Sequence, residues 1–198
     1  MPTPPSLLFT CAALNIAFTL VAAVDGLYYH LWRYRLYERP ESRREHWLHT
    51  GNALCFPLLS FLLLSVDPRG AFRTLALALF LLTLTFESLD VLCERASRAS
   101  LGGLTPREYL LHFLMAGLRG ASLVPLLALP GWALSATALG PRPPWAFCLG
   151  LGIAVPGLAV AALHVWLGLS RRRVVRPVGL ASAATPQYPF GTRCSIHA

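Results

Sequence analysis

Apolar residues run along this chain in five long blocks, each of about the length that crosses a hydrocarbon layer, with short Arg-, Gly- and Pro-containing stretches between them. The first block, Ser6 to Val24, holds 19 residues without a charge. Its helical pattern continues through Asp25 to about Arg35. The blocks predict membrane helices over residues 6–35, 41–66, 72–94, 106–129 and 145–170. Their ends carry recognisable punctuation. Asp67-Pro68-Arg69-Gly70 reads as a turn. Thr105 reads as an N-cap, with Pro106 in the first turn and Glu108 three residues on, which is a capping box. Residues 130–144 form a Gly/Pro-rich connection in which a short interfacial helix is expected around 132–139. Pro156 predicts a kink in the fifth helix, and Arg171-Arg172-Arg173 stops it.

A cleaved signal peptide over the first block is disfavoured. No basic segment precedes it, and Tyr28-Tyr29-His30-Leu31-Trp32 carries on as an aromatic belt into an arginine cluster. The chain therefore divides into one five-helix domain, residues 1–173, and a tail, 174–198, rich in small residues and proline and expected to be disordered.

Composition agrees with this reading. The chain is 55% hydrophobic and 13% charged, with a mean hydropathy of +0.54, whereas a soluble domain carries about a quarter charged residues. The fold class expected is an all-α polytopic membrane protein. A pI of about 9.9 raises the question of nucleic acid, but the arginines cluster beside apolar spans, where topology and anionic lipid head groups account for them. Nucleic acid is excluded as a partner on that ground; membrane lipids are the expected one. All 17 basic residues are arginine. With five spans, 13 of them fall on the side of the first and third connections and the tail, against 3 (Arg69, Arg73, Arg142) on the other. The positive-inside rule then places the N-terminus outside and the C-terminus in the cytoplasm, the expected location being a bacterial inner (plasma) membrane. Five scattered cysteines (Cys11, Cys55, Cys93, Cys148, Cys194) form no CxxC pair, so neither a disulfide framework nor a thiolate zinc site is indicated.

The chemistry-bearing stretch is residues 41–52, ESRREHWLHTGN, at the start of the second span. On an α-helix Glu45, His49 and Asn52 line one stripe, and His46 flanks His49. Other spans bring matching groups to the same depth. Glu87, Asp90 and Glu94 share a face of the third helix, and Glu108, His112, Met115 and Arg119 a face of the fourth. Asp25 lies about two turns above the inner end of the first span, and His164 two turns before the arginine stop of the fifth. At 1.5 Å per residue all lie within roughly 10 Å of one plane. His30 points about 140° from Asp25 on an α-helix and is left outside the set. Glu38, Glu41 and Glu94 read as solvated partners of the arginines, and Arg119 as an ion-pair partner for Glu87 or Asp25.

Each ionisable group within a span costs on the order of 3 kcal/mol at mid-bilayer, so several at one depth must satisfy one another. A salt-bridged or proton-relay cluster would do so; so would a metal site. The mixture favours metal, since carboxylates and imidazoles from facing helices are the ligands of di-iron and di-manganese centres, and zinc also accepts them. The expected ligands are Asp25, Glu45, His46, His49, Glu87, Asp90, Glu108 and His112, with His164 as a ligand or its hydrogen-bond partner. Glu-x-x-x-His at Glu45/His49 and Glu108/His112 differs from the Glu-x-x-His of ferritin-like proteins, so the likeness is of ligand chemistry alone. Haem held by two of His49, His112 and His164 suits the dense carboxylates poorly. No phosphate loop, nucleophile elbow or zincin motif occurs.

The leading functional expectation is a metal-dependent membrane oxidoreductase acting on a lipophilic substrate such as a lipid or quinone. Tyr28, Tyr29 and Trp32 would line its entrance, and Arg43 or Arg44 would hold an anionic head group. The alternatives are a proton- or metal-ion transport or sensing protein using the same cluster, and a non-catalytic structural membrane subunit.

Overall fold

The computed structural model describes residues 3–170; the tail expected to be disordered lies outside the described residues. Five helices are long and apolar enough to cross a membrane. Helix α1, Pro5–Ala23, opens with proline in its first turn, where a missing N–H leaves nothing unpaired. It passes without a break into a π-helical stretch, Val24–Arg33. Arg35, in the left-handed conformation (φ 51°), then turns the chain. Helix α2 spans Arg43–Ser60 and runs on through a π turn, Phe61–Ser65. Helices α3 (Ala71–Ser97), α4 (Pro106–Leu127) and α5 (Pro144–Ser170) follow. Pro57, Pro125 and Pro156 stand inside α2, α4 and α5.

The capping box at α4 is present. Glu108 N donates to Thr105 Oγ1 (3.3 Å), and Thr105 N donates back to Glu108 Oε2 (3.0 Å). Thr105→Ala is expected to lower stability by about 1 kcal/mol, the usual worth of a cap, measurable as a leftward shift of the SDS-unfolding curve of the purified protein.

The interfacial helix expected around 132–139 does not form. A single 3-10 turn, Leu134–Ala136, is followed by strand β2, Ala138–Pro141. It pairs antiparallel with β1, Val66–Arg69, in register Val66↔Pro141 to Arg69↔Ala138. The Asp67-Pro68-Arg69 segment read as a turn is thus a strand. Two connections meeting at one end of the bundle satisfy each other's backbone groups, which a lone eight-residue helix would have left to caps and water. The Asp67 carboxylate fastens this ribbon, with Arg69 at 3.0 Å, Arg142 at 3.3 Å and Arg73 at 3.7 Å. Arg73 also donates to the carbonyls of Pro68 and Leu129, and Arg142 to that of Val66 and to the Thr3 hydroxyl.

Helix α1 packs along α4, and α2 along both α3 and α5, while α3 and α4 barely meet. At the ribbon end an apolar core fills the bundle, with Leu59, Leu63, Leu64 and Leu123 fully buried. Its inward limit is marked by Phe18 against Phe56, their ring centroids 4.1 Å apart. Gly150 lets α5 close on α2: a β-carbon there would lie 3.1 Å from Ser65 N. The outward faces carry exposed Phe9, Leu20, Leu92, Phe113 and Trp166, as expected of helices whose solvent is hydrocarbon.

Candidate metal centre

The end of the bundle opposite the ribbon is a layer of buried polar side chains to which the π-helical stretch after α1 and helices α2, α3 and α4 each contribute. Its centre is His30, only 1% exposed. On an α-helix His30 would turn away from Asp25 and stay outside the set. The Val24–Arg33 stretch is wound as a π-helix, closing on the Tyr34 N to Tyr29 O bond of 2.9 Å. Five residues then make little more than one turn, so His30 comes round to the face of Asp25.

From there His30 Nε2 lies 3.6 Å from Asp25 and 3.8 Å from Glu45, and its ring meets that of His49 edge-on at 3.7 Å between centroids. His112 Nε2 is 3.3 Å from Asp25 and its Nδ1 3.1 Å from Glu94. His49 Nε2 is 3.1 Å from Asp90. Two sets, Asp25/His30/His112 and His30/Glu45/His49, each offer three ligand atoms within 4.8 Å of one another, and either could hold a metal ion. Several close approaches lack hydrogen-bond geometry. Both nitrogens of His30, Nε2 of His49 and His112, and an oxygen of Asp25, Asp90 and Glu94 are buried without a hydrogen-bond partner. Buried polar atoms are nearly always partnered, so this concentration of lone pairs in one layer fits a cation.

The expected ligands divide. Asp25, Glu45, His49, Asp90 and His112 come together. Glu108 lies at the edge of the layer, held by Arg98 (3.2 Å), by Tyr34 Oη (3.1 Å) and by its capping box. Glu87 is taken up in an ion pair with Arg119, the pairing expected of that arginine. His46 stands apart: its Nε2 meets the carbonyl of His164 at 3.0 Å, and the two rings stack at 5.2 Å.

Glu94, read as solvated, is in the layer, and so is Arg98. Glu94 is 5% exposed and Arg98 is 1% exposed. Arg98 joins three helices, with Nε and Nη2 on Glu45 (3.0 and 2.8 Å) and Nη1 on Glu108. Glu45 also accepts from Ser97 Oγ. The signal for Glu94 was its place on the Glu87/Asp90 face; Arg98 gave none beyond its charge. Glu38 and Glu41 do stay at the surface, paired with Arg35 (2.5 Å) and Arg39 (4.0 Å). The hydroxyl of Ser100 holds the Glu41 carboxyl below its ordinary pKa, while burial and the Glu108 carboxylate push the Tyr34 phenol up. Tyr34 accordingly remains a proton donor to Glu108.

Charge completes the description. Among the described residues the layer holds the carboxyls of Asp25, Glu45, Asp90, Glu94 and Glu108 and one guanidinium, that of Arg98, paired with Glu45 and Glu108. Ionised carboxylates with neutral imidazoles would leave four uncompensated negative charges, which two divalent cations would cancel.

Above the layer lies a chamber of about 920 Å³, at the upper end of the roughly 300–1,000 Å³ typical of ligand sites. Asp25, His49, Asp90 and His112 form its floor, and Phe18, Phe56, Met115 and Ile153 much of its wall. His164 lines it from α5, which sets that residue on the chamber and outside the two ligand sets. No protein-family model, curated protein or solved structure matches this chain.

Proposed function

We propose that this protein is a multi-pass membrane oxidoreductase whose inner layer holds two divalent metal ions, iron or manganese, that act on a lipophilic substrate admitted from the bilayer. One observation carries the reading: two three-ligand sets meet at the buried His30 on the floor of an apolar chamber, where His30 would serve one ion as a neutral imidazole or both as a bridging imidazolate. Asp25, His112, Glu45 and His49 would complete the sets, with Glu94 and Asp90 orienting His112 and His49 as carboxylates behind ligating imidazoles do. Iron or manganese in such a site supplies electron transfer and oxygen binding. The chain's own part is to hold the ions beside the substrate, keep water out, and keep Tyr34 protonated at the rim. The arginine distribution supports a cytoplasmic location for the layer, in a bacterial inner membrane.

The transport reading requires a polar route from Arg119 outward to Asp67. That level is filled by Leu59, Leu63, Leu64, Leu123 and Leu126, which counts against it. The structural-subunit reading draws on Arg98, whose ion pairs already bind α2 to α4.

Elemental analysis of detergent-purified protein tests the proposal. About two iron or manganese atoms per chain are expected, lost in His49→Ala/His112→Ala. Trace metal unchanged by the double substitution would reject the centre and leave a salt-bridged cluster.

A further inference from the structure

The chamber's two ends differ in chemistry, and its openings face hydrocarbon. Val91 and Leu92 of α3 and Tyr109 and Phe113 of α4 line it while being 56–76% exposed. They border the seam where α3 and α4 barely meet. Its occupant therefore arrives through the side of the bundle from the acyl region of the bilayer.

Inside, two polar groups point to what the occupant carries. His164 is 2% exposed, lines the chamber, and has neither ring nitrogen hydrogen-bonded; its ring stacks on that of His46, and the hydrogen bond between the two residues uses its backbone carbonyl. Asn52 lines the same space, its side-chain oxygen buried and unpartnered. A neutral imidazole can donate and accept, and a carboxamide oxygen accepts. Together they suit a hydroxyl. A carboxylate or phosphate head group suits the place badly, because the one guanidinium that lines the chamber among the described residues, Arg119, is already paired with Glu87.

We infer that the chamber binds a single neutral, hydroxyl-bearing lipid, its hydroxyl held by His164 and Asn52 and its chain against Phe18, Phe56 and Ile153. This rests on the reading of the chamber as a substrate site and names the substrate class; His164 and Asn52 are positioning residues.

The test uses three probes of equal chain length, oleyl alcohol, oleic acid and 1-octadecene, binding to the full-length protein in nanodiscs, both metal-loaded and chelator-stripped. Oleyl alcohol is expected to bind at least tenfold tighter than oleic acid or octadecene. His164→Phe and Asn52→Leu are expected to abolish the preference over octadecene while leaving octadecene affinity unchanged, and His164→Gln to restore part of it. A merely structural role for His164 would weaken all three probes alike and would overturn the assignment, as would equal affinity for the alcohol and the acid, or no binding at all. Selective binding by a protein that takes up no metal when loading is attempted would uphold the lipid site while rejecting the metal centre, and a loaded centre with no selectivity would do the reverse.

Discussion

Arg98→Leu is expected to destabilise the protein by about 3–5 kcal/mol, the cost of leaving a buried charge without its partner. Two carboxylates lose their counter-charge at once. Glu45 is fully buried and takes Nε at 3.0 Å and Nη2 at 2.8 Å; Glu108 takes Nη1 at 3.2 Å. Lysine is a poor substitute, since one ammonium cannot reach both with a planar fork, so Arg98→Lys should recover only part of the loss. The check is SDS or urea unfolding of the purified variants. Adding Glu45→Gln to Arg98→Leu should return about 1 kcal/mol or more, because the two residues interact directly and their effects cannot simply add. An Arg98→Leu protein as stable as wild type would mean that Glu45 and Glu108 are neutralised by something other than Arg98.

His30→Ala should empty the metal layer. His30 is common to both ligand sets, so one substitution reaches both, whether its ring serves one ion or bridges the two, where His49→Ala or His112→Ala touches one. The paired control is His46→Ala, which breaks a ring stack and a bond to the His164 carbonyl but touches neither set. Metal content by elemental analysis should fall from about two atoms per chain to background in His30→Ala, and stay near the wild-type value in His46→Ala. Equal losses in both would show that general loosening of that end of the bundle, rather than ligation, controls metal retention.

Much of this architecture is legible in the sequence, for a physical reason. Where hydrocarbon is the solvent, backbone groups must pair within a segment, so long apolar blocks have little choice but helix. Thr105, Pro106 and Glu108 likewise announce a helix start through purely local bonds. The depth of Asp25, Glu45, His49, Asp90 and His112 followed from helical rise alone, and these residues do converge. The errors lie where winding or distant partners decide. His30 was lost because a departure from α-helical winding leaves no mark in residue type. Glu94 reads as a solvated group and Arg98 gives no signal beyond its charge, since charge beside a span says nothing about which way a side chain folds. The ribbon of Val66–Arg69 with Ala138–Pro141 joins segments some seventy residues apart, and local pattern carries no such pairing.

The clasp around Asp67 and the Arg98 ion pairs fasten the bundle at both ends, and this governs how the space between them can change. Helices held at two ends cannot swing apart about a hinge; they can only bow. Pro57 of α2 and Pro156 of α5 both line the chamber, and a proline inside a helix removes a backbone hydrogen bond and softens it there. Compliance is thus concentrated at mid-height, level with the chamber. A widening of that kind trades protein volume against the lateral pressure of the acyl chains, so bilayer stiffness and thickness should set how fast the chamber exchanges its contents.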